Sequence, residues 1–139
     1  MAAMSDADRD AFLAEPRIAV LSTSSADGPP MSVPIWFEWA NGRARFFTGV
    51  TSPKMRRIAR DPVVSLLVAN PTGQPEAWVL IEGSVEVSED GAFDLADRLA
   101  QRYWDMSDSA HARTVEDWRA ASASFRLLEI VPSRVRSYG

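Results

Sequence analysis

The chain has 139 residues, 46% of them hydrophobic and 24% charged, with a formal net charge of −4. This is the balance of an ordinary globular domain, too apolar for a disordered segment and long enough to bury a core. There is no cysteine and only one histidine, which excludes disulfides, iron–sulfur clusters, thiolate zinc sites, cysteine nucleophiles and histidine-rich metal sites.

The opening stretch MAAMSDADRDAF is acidic and has no positive segment leading into an apolar run, so it does not read as a secretory signal. No stretch has the roughly 18 consecutive apolar residues of a membrane span. A soluble, cytoplasmic protein without a membrane partner is expected. Ser5 to Glu15 predicts a short amphipathic helix capped by Ser5, carrying Phe12 and Leu13 and stopped by Pro16. Arg17 to Thr23 (RIAVLST) predicts a strand, ADGPP a turn, and Met31 to Trp39 a second strand. Asn41-Gly42 then marks a hairpin into Arg43 to Thr48, since this dipeptide takes the left-handed backbone that tight hairpins need.

In GVTSPKMRRIARDP, Thr51 or Ser52 caps a helix of about two turns, Pro53 suits its first position and Asp61-Pro62 ends it. Val63 to Ala69 reads as a near-continuous apolar strand buried on both faces or set in a barrel wall. Trp78 to Val87 is a strand whose interior Gly83 predicts a bulge or barrel bend. Gly91 to Trp104 has helical spacing. A polar loop, a short helix from Thr114 to Ala121 and a last strand from Ala123 to Val131 follow. The fold class expected is α+β, mainly β: a small six-stranded antiparallel barrel with short flanking helices. A parallel α/β fold is disfavoured, because helices do not alternate with strands and no glycine-rich phosphate signature is present.

Charge is distributed unevenly. Arg43, Arg45, Lys54, Arg56, Arg57 and Arg60 form a run without an acid, whereas Asp61 to Asp97 contains acids and no base. The run is either an anion site or a solvated face balanced by acidic neighbours. The acidic total argues against a nucleic-acid partner. His111, in a polar segment, reads as an exposed loop residue rather than a general base. Glu82 and Glu86 face the same side of one strand, but spacing supplies no third group for a metal. At the strand–helix junction, Thr48, Thr51, Ser52 and Lys54 surround a helix N-terminus whose free N–H groups favour an anion. A phosphate site and the plain capping of a surface helix both account for them. Trp36 and Phe37 alternate, so only one can face a ring, and Trp36 is the candidate. Tyr103, Trp104 and Trp118 are either cleft-lining or core.

The segments RIAVLSTSSADGPPMSVPIWFEW, NGRARFFTGVTSPKMRRIARDPVVSLLV and WVLIEGSVEV, in that order, resemble the pyridoxamine 5′-phosphate oxidase-like family with its flavin-binding split barrel, which includes deazaflavin-dependent oxidoreductases. The resemblance runs from about Arg17 to Val87 and more faintly to Tyr138. It implies one split-barrel domain over residues 1–139 and a homodimer with its cofactor at the subunit interface. It implies a deazaflavin (coenzyme F-420) or FMN cofactor and hydride transfer with a small-molecule substrate. Thr48, Ser52 and Lys54 match the positions that hold the cofactor phosphate, with Thr51 and Arg57 beside them. Val33, Pro34, Ile35 and Trp36 match the strand along the cofactor ring. Ser52-Pro53-Lys54 and Trp78-Val79-Leu80-Ile81-Glu82-Gly83 depart from the oxidase pattern Ser-Arg-Lys and Gln-Val-Arg-Ile-Glu-Gly. The chain also lacks the oxidase's tryptophan- and arginine-bearing C-terminal segment. These departures favour the deazaflavin-using relatives over an FMN-dependent pyridoxamine-phosphate-oxidase-like enzyme. A non-catalytic flavin-binding protein is the further alternative.

Overall fold

A computed structural model describes residues 2–139. In chain order the elements are α1 (Asp6–Ala14), β1 (Ala19–Thr23), β2 (Met31–Ile35), β3 (Glu38–Ala40), β4 (Arg43–Gly49), α2 (Pro53–Arg60), β5 (Val63–Ala69), β6 (Trp78–Ser88), α3 (Ala92–Tyr103), α4 (Ser109–Ala120) and β7 (Phe125–Tyr138). A 3₁₀ turn at Ser122–Ser124 precedes the last strand. The seven strands make one antiparallel sheet in the order β2-β1-β5-β6-β7-β4-β3.

The two edge strands of this sheet, β2 and β3, are separated in sequence only by Trp36 and Phe37. The three residue steps from Ile35 to Glu38 reach at most about 11 Å, so the sheet must curl until its edges come close to one another. The result is a half-barrel closed by chain rather than by a hydrogen-bonded ladder. This corrects the expected strand count from six to seven. The segment Met31 to Trp39 breaks at Trp36-Phe37, where Phe37 turns fully into the core. The Tyr103 hydroxyl lies at the break, within 3.4 Å of both N and O of Phe37, and donates to the Arg17 carbonyl at 2.7 Å.

The barrel interior is filled by alternate residues of its strands, among them Leu21, Phe46, Leu66, Val68, Val79, Ile81, Leu128 and Ile130, each at most 1% exposed. Their neighbours point outward. Val63–Ala69 is therefore not buried on both faces: Val64, Leu66 and Val68 go in, while Val63 and Leu67 remain 59% and 39% exposed. The β3–β4 hairpin turns through Asn41 (φ 54°) and Gly42 (φ 72°), the paired left-handed residues of a type I′ turn. The strand register shifts between Glu82 and Gly83. A side chain at Gly83 would place its Cβ 2.2 Å from the Val131 carbonyl oxygen. Pro132 pairs at this irregularity, where a missing N–H is tolerated, and so β7 continues past the expected stop at Val131 to Tyr138.

Helices α3 and α4 pack on each other, and α3 lies against β4 and β7. The second helix of this pair begins at Ser109, capped by Asp108, rather than at Thr114. Its first turn places His111 on a helix, half-buried, instead of in an exposed loop. Glu82 and Glu86 each meet a separate arginine, Arg136 at 2.8 Å and Arg43 at 3.5 Å. No helix among the described residues is long and apolar enough to cross a membrane.

Candidate functional site

The seam between β2 and β3 opens onto a cavity of about 460 Å³ lined by Ile18, Pro34, Ile35, Trp36, Phe47, Lys54, Trp104 and Trp118. Five elements converge here. The end of β2 supplies Pro34 and Ile35, and Trp36 follows. Phe47 projects from β4 between the buried Phe46 and Thr48. Lys54 stands on the first turn of α2. Trp104 caps the C-terminus of α3, and Trp118 lies on the last turn of α4. Of the expected ring-side residues, Pro34, Ile35 and Trp36 line this cavity, whereas Val33 packs against the core.

Three of the expected phosphate residues, Thr48, Ser52 and Lys54, form a chain of contacts. Ser52 caps α2, its Oγ accepting from the Met55 N–H at 3.2 Å and from the Thr48 hydroxyl at 2.9 Å. Lys54 Nζ lies 3.4 Å from Thr48 Oγ1. Arg57 Nε donates to Thr23 Oγ1 at 2.7 Å. Thr23 and Thr48 are the buried polar side chains among the described residues, at 2% and 6% exposure. Thr51 is brought near only through its backbone: its carbonyl accepts from Arg56, and its side chain is exposed.

The basic run does not act as one patch. Arg43 and Arg45, on β4, are paired to Glu129 at 2.8 and 2.6 Å, and Arg45 also approaches Glu38 at 3.8 Å. Among the described residues, Lys54, Arg56, Arg57 and Arg60 form no ion pair. Burial, and after it the neighbouring charge of Arg57, hold the Lys54 ammonium below its ordinary pKa. A half-buried ammonium whose sole contact is a long hydroxyl bond is undersatisfied, and it sits at the positive end of a helix. An anion is what this cradle can hold. No group of three or more histidine, aspartate or glutamate side chains is placed to hold a metal among the described residues.

Opposite the cradle the wall is aromatic. Trp36 stacks on Tyr103 with ring centres 5.1 Å apart and planes 3° apart, and meets Trp104 edge-on at 4.7 Å. Trp104 is stacked by His111 at 4.4 Å and by Trp118 at 5.6 Å. Phe47 contacts Trp118 edge-on at 5.3 Å. His111 thus backs a cavity wall, its Nδ1 3.0 Å from the Asp105 carbonyl. Sequence reasoning missed Ile18, Phe47 and Thr23. Phe47 carried an available signal, since it follows directly from inward–outward alternation beside Thr48, a residue already assigned.

The family model described as pyridoxamine 5′-phosphate oxidase matches residues 5–139. Curated protein sequences give no match. Among solved structures, an F420 reductase superposes with a TM-score of 0.74 at 23% identity, covering 91% of this chain and 94% of that one. A conserved hypothetical protein from Mycobacterium tuberculosis has a TM-score of 0.79 at 26% identity, covering 97% and 84%. An FAD-binding protein from Mesorhizobium loti has a TM-score of 0.66 at 21% identity, covering 98% and 95%. The half-barrel is common to them, and the match over nearly the whole length settles the family: this chain belongs to the pyridoxamine 5′-phosphate oxidase family.

Proposed function

We propose that the protein is an oxidoreductase that binds a deazaflavin such as coenzyme F-420, or FMN, and passes a hydride between it and a small organic substrate. The observation that carries this reading is the pairing of one uncompensated, half-buried ammonium, Lys54, with an apolar cavity of about 460 Å³. That volume lies in the range of small-molecule sites, roughly 300–1,000 Å³. A phosphate-bearing, largely apolar ring system matches both halves. The names of the F420 reductase and the FAD-binding protein among the structural neighbours support the same class.

When bound, such a cofactor supplies the hydride chemistry, which explains a site without an acid–base pair. The side chains then have three tasks. Lys54, with the Ser52 cap and Thr48, holds the phosphate by a charge-assisted contact on a preorganised helix end. Pro34, Ile35 and Trp36 give the ring a flat apolar bed, and the aromatic wall keeps water from the reacting face. Leu80 and Trp78 stand where the oxidase pattern has polar groups, which favours the deazaflavin over FMN.

The working unit in this proposal is a homodimer covering residues 1–139 as one domain. Val20, Val63 and Leu67 are 37%, 59% and 39% exposed on the outer face of neighbouring strands β1 and β5, with Val20 directly opposite Leu67, and Ile18, just before β1, is 52% exposed. An open apolar face of this kind fits a second copy. The test is titration of the purified protein with FMN and with coenzyme F-420, followed by absorbance and tryptophan fluorescence, alongside light scattering. Micromolar or tighter binding of one of them by a dimer is expected. A monomer that binds neither refutes the reading.

A further inference from the structure

We propose that Lys54 is an acylation site: its amine takes an acyl group from a small acyl phosphate, and the amide so formed discharges the anion cradle. The acylation goes beyond the cofactor reading and does not depend on it. The loss of cofactor binding that follows rests on that reading.

Lys54 is the only lysine of the chain; every other basic side chain of its length is an arginine, which stays protonated and is no nucleophile. An ammonium must lose a proton before it can attack a carbonyl. Burial, and after it the charge of Arg57 one turn along α2, favour that loss. Among the described residues no carboxylate pairs with Lys54 to hold the proton in place. The hydrogen bonds also leave the lone pair open. The Thr48 hydroxyl donates to Ser52 Oγ at 2.9 Å, so towards Lys54 Nζ, 3.4 Å away, its oxygen accepts. A neutral amine can give one N–H to Thr48 and keep its lone pair for a group in the cavity of about 460 Å³ that it lines.

The same surroundings select the donor. Lys54 and Arg57 share one face of α2, and no carboxylate lines the cavity. An acyl phosphate brings a compact anion to this positive charge and a short apolar group to the uncharged wall. In the reaction the amine lone pair forms the N–C bond, and the bond between the carbonyl carbon and the phosphate oxygen breaks. Inorganic phosphate leaves with that electron pair, and the surplus proton on nitrogen passes to it or to water. The product is a neutral amide. The charge that holds a cofactor phosphate is then gone, and the acyl group stands in the cavity.

The test incubates the protein near neutral pH with acetyl phosphate, or with p-nitrophenyl acetate as a neutral donor without phosphate, and follows acetylation of Lys54 by mass spectrometry. A synthetic peptide GVTSPKMRRIARDP with a blocked N-terminus gives the rate of the same lysine outside the fold. Acetyl phosphate should modify Lys54 in the protein at least about tenfold faster than in the peptide, and this gain should exceed that with p-nitrophenyl acetate. Arg57→Gln should slow the reaction with acetyl phosphate about fivefold, whereas Arg56→Gln, whose guanidinium reaches the Thr51 carbonyl, should change it less than about twofold. Inorganic phosphate should slow the reaction in the protein and not in the peptide, a comparison that needs no variant. Protein acetylated at Lys54 should bind FMN and coenzyme F-420 at least about tenfold more weakly than unmodified protein. A rate no higher than in the peptide, or an equal gain with both donors, overturns the proposal. So does undiminished cofactor affinity in the acetylated protein. Fast, phosphate-inhibited acetylation of a protein that binds neither cofactor supports the site and removes the cofactor reading alone.

Discussion

Lys54→Gln has two consequences of opposite sign, and together they isolate the electrostatic part of the site. In the free protein the ammonium is half-buried, without an ion pair, and disfavoured first by burial and then by Arg57. A lysine whose folded pKa lies below its unfolded one destabilises the fold at any pH where it is charged, and the penalty lifts as pH rises through the lowered value. Removing the charge should therefore leave the stability of the free protein unchanged or slightly raised, within about 0.5 kcal/mol. With a phosphate present the balance reverses. One charge-assisted hydrogen bond contributes about 1.5–3 kcal/mol, which is roughly ten- to over a hundredfold in affinity. The assay pairs urea unfolding of the free variant with titration of FMN and coenzyme F-420. Wild-type affinity should also fall as pH rises through the lowered Lys54 value, and the glutamine variant should lose that dependence. Arg56→Gln and Arg60→Gln are the comparisons, because those guanidiniums reach the Thr51 and Ser24 carbonyls. Equal losses at all three positions would mean a diffuse basic face. A destabilised free protein with undiminished affinity would refute the assignment.

Gly83→Ala should destabilise the fold by about 3 kcal/mol or more in chemical denaturation, because its Cβ would meet the Val131 backbone at 2.2 Å and neither strand can retreat. Glu129 contributes to the acid limb of stability. Its carboxyl is held below the usual range chiefly by the hydrogen bond from Arg43, with Arg45 adding to it. The stabilisation is present above the unfolded pKa and lost as pH falls through the lowered folded one. Urea unfolding of Glu129→Gln should show about 1 kcal/mol less stability at neutral pH and a shallower loss towards pH 3, whereas an unchanged pH slope would refute the assignment.

What could be read from the sequence depended on whether the signal was local. Asn41-Gly42 and Ser52-Pro53 state their own geometry, the first through left-handed backbone and the second through a hydroxyl cap and a preset φ, and both turns form as expected. Gly83 is of the same kind. The break at Trp36-Phe37 was invisible, because an outward tryptophan followed by an inward phenylalanine continues strand alternation. Nothing local shows that the hydroxyl of Tyr103, 66 residues on, stands between them. Thr23 was missed for a related reason. A β-branched residue ending a strand reads as a strand former, and its partner Arg57 is 34 residues away. The helix carrying His111 was legible in principle, since Asp108 is a good N-cap and an alanine-containing run follows. The polar composition of that run concealed it.

Pro34 lines the cavity from an edge strand whose outer side has no neighbour in the sheet. A bare edge beside an apolar hollow is a template for pairing with any passing strand, and proline interrupts the donor row such pairing requires. The same ring thus shapes the pocket and keeps molecules of this protein from zipping together along its rim. A β-branched residue in its place would preserve the hollow's apolar character and make the rim adhesive.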